Sequence, residues 1–283
     1  MVCKSDDYVK LIYNSDETVD LLKWEDGFEF HGYDEYEVQG ETNLTEFEGK
    51  DGGLPSSPIF KPFELDLNFR YTGVNKADRD LFLFKLKNKL NGRDNYYITH
   101  SKMPGIKYAV TPTPKISSTL LTLRHVDIKI TFTVFKGYSE SMYDTSHIRV
   151  NDDTWQFESG IQINDESLKY KHNTSGFKIF NGSADKIDPL LDHNLAIYIN
   201  IDAPNGFILW NRTTDERFVY DGAVNSTQAF TIKGVHPLLD GKRVGHNSNW
   251  QWITLEKGYN DFQFLGDGIS NINIEFVFNF IYR

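Results

Sequence analysis

Few residues in this chain have the type and spacing that chemistry needs. The single cysteine, Cys3, excludes an intrachain disulfide and a multi-cysteine zinc site, and a thiol so near a chain terminus makes a poor nucleophile. The eight histidines include no His-Glu-x-x-His pair; His193, His236 and His246 are spread among loop-like stretches, where structural or surface roles prevail. Asp240-Gly241-Lys242-Arg243 has the outline of a phosphate loop. It lacks the upstream glycine and the following Ser or Thr on the magnesium side. No Gly-x-Ser-x-Gly elbow occurs, and Asn151-Asp152-Asp153 lacks the glycine and closing glutamate of a calcium loop. Forty acidic residues supply many carboxylate pairs, but glycoside hydrolysis needs two at a set separation, one with a raised pKa. The expectation is a chain with no catalytic residues, no metal site and no cofactor. Trp210, Trp250 and Trp252 could stack on sugar rings. In a strand over Trp250–Leu255, Trp250 and Trp252 would share one face, which favours packing over display.

The elements around these residues read mostly as strands. Phe63 to Tyr71 alternates strictly, placing five large side chains on one face; Ile128–Val134 and Ile272–Phe280 repeat the pattern. Shorter strands follow at 195–201, 207–210, 218–220, 230–232, 250–255 and 259–265. Pro204-Asn205-Gly206, Asp221-Gly222, Asp240-Gly241, Lys257-Gly258 and Asp267-Gly268 are the turns among them. This spacing indicates a sandwich or barrel. One helix is expected over about 76–90: Asn75 caps it, Ala77, Leu81, Phe84 and Leu90 follow helical spacing, and Asn91-Gly92 stops it. A single helix among strands disfavours a doubly wound nucleotide-binding fold. A break near Gly137–Asp153 divides a first domain, 1–145, from a second, 150–283.

Composition narrows the class further. The 283 residues are 14% aromatic, too apolar for a disordered chain, and no run approaches a membrane span. Lys4, Asp6 and Asp7 deny the N-terminus an apolar signal core, so the five Asn-x-Ser/Thr triplets carry no implication of glycosylation. Net charge is -10, which disfavours nucleic-acid binding. The charge is split: Glu25 to Glu48 holds nine acids and no Lys or Arg, while Lys85 to Lys136 holds ten Lys or Arg and two acids. The two runs are either solvated faces or partners, within a subunit or across a boundary.

Three stretches resemble the distal tail protein (Dit) family of siphophages infecting Gram-positive bacteria. The first runs from Phe63–Tyr71 through the helix, Tyr96-Tyr97-Ile98 and Met103–Val110 to Ile128–Phe135 and Gly137-Tyr138-Ser139-Glu140-Ser141. The second is Phe177–Gly182 with Asp188-Pro189, and the third is Trp252–Phe262 with the closing strand. The resemblance implies a mainly β chain: an N-terminal belt domain followed by a galectin-like β-sandwich. It also implies a homo-hexameric ring at the tail tip or baseplate of a virion, assembled in the host cytoplasm. Its partners would be the tail tube protein, a tail-associated lysin or fibre protein and receptor-binding proteins, with no enzyme activity and no membrane insertion. DNA would pass through the lumen, whose lining is then expected to be neutral or acidic.

The galectin-like resemblance brings no sugar site with it. The His-x-Asn-x-Arg strand of galectins is missing, since His246 is followed by Asn247-Ser248-Asn249-Trp250. The alternative function is a lectin-like, carbohydrate-binding host-recognition module using Trp210, Trp250 and Trp252. A hydrolase using paired acids is a third, weaker one.

Overall fold

The computed structural model describes residues 7–13, 17–49, 51–147 and 168–283, so Cys3 and Asn151-Asp152-Asp153 lie outside the described residues. The chain is mainly β with one α-helix, as its alternation predicts. It divides into two units, residues 1–140 with Arg283, and residues 141–282.

In the first unit, β1 (Val9–Tyr13), β2 (Glu17–Asp20) and β3 (Phe28–Glu35) precede an exposed arm. The arm carries four short strands: β4 (Gly40–Glu41), β5 (Leu44–Glu46), β6 (Gly53–Pro55) and β7 (Ile59–Phe60). Then come β8 (Phe63–Thr72), α1 (Lys76–Leu90), β9 (Tyr96–His100), β10 (Ile106–Val110), β11 (Lys115–Leu120) and β12 (His125–Val134). The sheet order is β2-β1-β9-β10-β12-β8-β3, with β11 also on β12. β8 and β12 pair antiparallel over their full length, from Phe63↔Val134 to Thr72↔His125. Their period-two residues, Phe63, Leu65, Leu67, Phe69 and Tyr71 against Val126, Ile128, Ile130, Phe132 and Val134, are all buried. Each such side chain contributes about 1.5–3 kcal/mol of apolar burial.

The helix forms where the sequence places it, and for the expected reason at its start. Asn75 accepts from the Asp78 amide at 3.0 Å, and Asp78 accepts from the Val74 amide at 2.9 Å and the Tyr71 hydroxyl at 3.0 Å. The face it buries is not the expected one. Phe82, Leu86 and Leu90 go inward with Arg79, and Phe82 stacks on Tyr71 with centroids 3.8 Å apart. Leu81 and Phe84 stand in solvent. The helix carries apolar residues on opposite sides, and periodicity alone could not say which side meets the sheet.

After β13 (Ser139–Ser141), the second unit contains β14 (Lys171–His172), β15 (Gly176–Asn181), β16 (Leu195–Asp202), β17 (Phe207–Asn211), β18 (Glu216–Tyr220), β19 (Phe230–Lys233) and β20 (His236–Leu239). β21 (Lys242–Arg243), β22 (Gly258–Leu265), β23 (Ser270–Phe278) and β24 (Ile281–Tyr282) complete it. One sheet runs β14-β23-β16-β19-β20-β21, the other β15-β22-β17-β18. Aromatic rings fill the space between them: Phe276 meets Phe262 at 4.9 Å, and Phe230 meets Phe207 at 5.2 Å and Tyr220 at 4.7 Å. This is a β-sandwich whose core is largely phenylalanine.

Candidate functional site

The tryptophans of the lectin-like alternative are held by different neighbours. Trp210 sits half-buried on β17, where its indole N–H donates to Asp215 Oδ1 at 2.9 Å and the Arg217 guanidinium lies 4.4 Å from its ring. The expected strand over 250–255 is absent. That segment is a loop along the edge of β18, where Asn249 accepts from the Val219 amide at 3.1 Å and donates to the Arg217 carbonyl at 2.7 Å. Trp250 has a positive φ of 58° and is 73% exposed, while Trp252 is half-buried, so the strand-parity argument fails. The Trp250 ring lies over Gly245, where an added Cβ would come within 3.2 Å of it.

The Asp240–Arg243 stretch is the tight turn between β20 and β21, with Asp240 and Gly241 both at positive φ. Asp240 Oδ1 accepts the Ala229 amide at 2.9 Å. His193 and His236 border one open cleft of about 560 Å³ together with Lys233, Arg243, Asp144 and Asp192. His193 is buried, and its Nδ1 accepts from the Asp188 amide at 3.0 Å. Among the described residues no three His, Cys, Asp or Glu side chains converge as a metal site would require.

The stretch Trp252–Phe262 owes its shape to buried amides. Asn181, Asn211 and Asn260 are each fully buried. Asn260 accepts from the Glu256 amide at 2.8 Å and donates to the Glu256 and Gly258 carbonyls at 2.8 and 3.2 Å. Asn211 donates to the Thr254 carbonyl at 2.9 Å, and Asn181 to the Leu255 carbonyl at 3.1 Å. Three side chains thus satisfy a loop whose backbone has few ladder partners. Sequence analysis missed this use. The signal was three Asn at the ends or beginnings of otherwise apolar strands.

In the first unit the charges sort themselves by pairing. The outer face of β8 and β12 is a ladder of ions: Arg70 grips Asp127 at 2.8 and 3.2 Å, Lys129 meets Asp66 at 2.5 Å, and Lys115 meets Glu64 at 3.0 Å. Burial would raise the Asp66 carboxyl, but hydrogen bonds from Lys129, Thr131 and Tyr36 outweigh it and hold Asp66 below its usual range. Lys102 pairs with Asp7, Lys136 with Glu140, and Lys85 with Glu25. Half of the basic run is therefore ion-paired within the chain, and the acidic run supplies Glu25 to one of these pairs and Glu41 to Lys61.

Among the charges of the first unit without an ion-pair partner in the described residues, two groups stand out: Lys76, Lys87, Lys89 and Arg93, with Asp94 beside them, on or just after α1, and Glu37, Glu46, Glu48 and Asp51 in the arm. Each group surrounds exposed apolar side chains. Leu81 and Phe84 lie on the helix, with Val74, Leu120, Leu121 and Leu123 at the strand ends; Leu44, Phe47, Leu54 and Ile59 lie on the arm. Large exposed apolar clusters rimmed by charge mark interaction surfaces.

Comparison with known proteins agrees with this architecture. The sequence profile of the phage tail protein RIFT-related domain matches residues 24–134. No curated protein matches the sequence. Among solved structures the chain is similar to the Dit protein of phage SPP1, described as a paradigm of the hub adsorption apparatus in phages infecting Gram-positive bacteria. That likeness has 12% identity and a TM-score of 0.67, and covers 96% of this chain and 99% of that one. A chain of the phage p2 baseplate in its activated conformation with strontium gives 11% identity and a TM-score of 0.43, covering 96% of this chain and 97% of that one. The SPP1 likeness speaks to fold. Residues 24–134 thus match the phage tail protein RIFT-related domain, and the chain folds over nearly its whole length like the SPP1 distal tail protein, Dit.

Proposed function

We propose that this protein is a structural component of the virion, the hexameric hub of a siphophage tail tip or baseplate. The first unit makes the ring wall beneath the last ring of the tail tube protein and holds the tail-associated lysin or fibre protein. The second unit, a galectin-like sandwich, faces outward and carries receptor-binding proteins. The observation that supports this reading most is the tail-protein domain at residues 24–134 within a Dit-like fold that spans the chain. The unpaired charges and exposed apolar residues of the first unit are what an obligate ring wall would leave uncovered in one subunit. Electron microscopy of the purified chain is expected to show six-fold rings. Raising the salt from roughly 0.1 M to roughly 1 M, which shortens the screening length from about 10 to about 3 Å, is expected to lower the ring fraction several-fold. A protein that stays monomeric at every concentration counts against the reading.

A lectin-like role is the second reading, favoured by the display of Trp250 in solvent. It expects saturable binding of a cell-wall polysaccharide, lost on Trp250→Ala with the melting temperature retained. A flat titration with wall polysaccharide removes it.

A further inference from the structure

We propose that the arm, residues 37–60, docks on the outward face of α1 in a second copy of this chain and makes the contact that closes the ring. The inference rests on the hub reading above and identifies the surfaces it uses.

Three observations carry it. First, the arm has almost nothing of its own to stabilise it. β4 pairs only with β7 and β5 only with β6, over two and three residues, and Leu44, Phe47, Leu54 and Ile59 are half or more exposed. An isolated two-stranded ribbon is marginal in water and needs a surface to lie on. Second, α1 has the matching surface. Ala77, Leu81 and Phe84 line up at helical spacing on the side opposite Phe82 and Leu86, and Val74 and Leu123 near the helix start are exposed as well. The loop bearing Leu123 is fixed beside the helix, since the Arg79 guanidinium donates to the Leu123 carbonyl at 3.3 Å and Arg124 Nε to the Gly73 carbonyl at 2.9 Å. Third, the charges left after intrasubunit pairing are opposite in sign. The arm carries Glu37, Glu46, Glu48 and Asp51 against Lys50, and the helix and its end carry Lys76, Lys87, Lys89 and Arg93 against Asp94, so the net signs are opposite. Two acidic or two basic partners would repel, whereas arm on helix attracts and fixes orientation.

The geometry makes this contact head-to-tail. The arm ends at the start of β8, whereas Val74 and the start of α1 follow its far end, ten residues or about 33 Å along the strand. A surface at one end that fits a different surface at the other is a heterologous contact, the kind that closes rings. It also covers the unpaired lysines with acidic chain, so they would not line the path of DNA.

A photoreactive benzoylphenylalanine placed at Leu54 of the full chain tests the contact directly, in a mixture of light and heavy isotope-labelled subunits. The expected result is mixed-label cross-links to peptides within residues 74–93 or 120–124. Glu46→Lys with Glu48→Lys is expected to weaken ring formation about tenfold or more, and adding Lys87→Glu with Lys89→Glu in the same chain to restore it. The melting temperature should stay unchanged, because all four side chains are outside the core. Wild-type rings that cross-link elsewhere, or only within a subunit, overturn this contact and leave the hub reading standing. A wild-type chain that forms neither rings nor mixed-label cross-links overturns both.

Discussion

Asn260→Leu is expected to destabilise the second unit by about 3–5 kcal/mol. The side chain is fully buried, and both ends of its amide are used. It accepts from the Glu256 amide at 2.8 Å and from Asn211 at 3.3 Å, and it donates to two carbonyls, of Glu256 and Gly258. Leucine keeps the same heavy-atom branching with bulkier methyl groups, so no cavity forms and any packing cost adds to the loss. What remains is a set of backbone groups in a dry loop with no partner, each costing about 1–3 kcal/mol. Relaxation recovers part of this, since Gly258 begins a strand at the surface and its carbonyl can reach water. The bridge between Leu255 and Ile187 limits how far the Glu256 amide and carbonyl can turn toward water. Asn249→Ala is the control. Asn249 also makes hydrogen bonds to the backbone, at 3.1 and 2.7 Å, but it is exposed, so water replaces it and the expected loss is about 1 kcal/mol or less. Chemical denaturation of both variants settles the matter; an Asn260→Leu loss no larger than that of Asn249→Ala would refute the buried-clasp account.

The same asparagine shows where sequence reasoning succeeds and where it stops. The stretch Trp252–Phe262 was legible as a resemblance before its physical cause was. Its recognisable pattern is a loop held by Asn260, and Asn211 and Asn181 support it from other strands. Long alternating strands were legible because one face must be buried, and that fixes the parity of β8 on β12, while the pairing itself is read from the sheet. The helix was legible through its cap. Its inner face was not, because Ala77, Leu81 and Phe84 keep helical spacing as faithfully as Phe82, Leu86 and Leu90. Choosing between them needs the sheet. A helix with two apolar sides can bury both, and only the inner one is covered by the sheet. Trp250 escaped for a different reason. Its alternation with Trp252 imitates a strand, but the segment satisfies its backbone through the side chains of Ser248 and Asn249 just before it and of Glu216 on β18, not through a ladder. The charge split was visible at once. Deciding which charges lack a partner within the chain required knowing which were already paired.

Acid weakens the first unit from pH 6.5 downward, and His100 is the reason. Its ring is fully buried at the end of β9, facing Phe30 and Tyr33 of β3 and Tyr108 of β10, and neither ring nitrogen has a hydrogen-bond partner. Burial, aided by the positive charge of Lys102, pulls its pKa from 6.5 down to about 4. The folded state therefore holds this imidazole neutral at pH values where the unfolded chain protonates it. The unfolded state binds more protons, so stability falls as pH falls between these two values. A shift from 6.5 to about 4 corresponds to a loss of about 2 kcal/mol by pH 5 and about 3 kcal/mol by pH 4. Asp66 and Asp127, held below their ordinary value by their cationic partners, add their own losses only at more acid pH. Glu35, which accepts the Tyr108 hydroxyl, works the other way. Desolvation raises its carboxyl, so acid relieves part of its cost. The clean measurement is a difference. His100→Leu removes a polar ring that has no partner, so it is expected to be neutral or stabilising at pH 7. Its advantage over the wild type should then grow by about 3 kcal/mol as pH drops to 4, with the carboxylate contributions common to both chains. A gap that stays constant from pH 7 to 4 would show that His100 titrates in the folded state like a solvated histidine, and would sink the account.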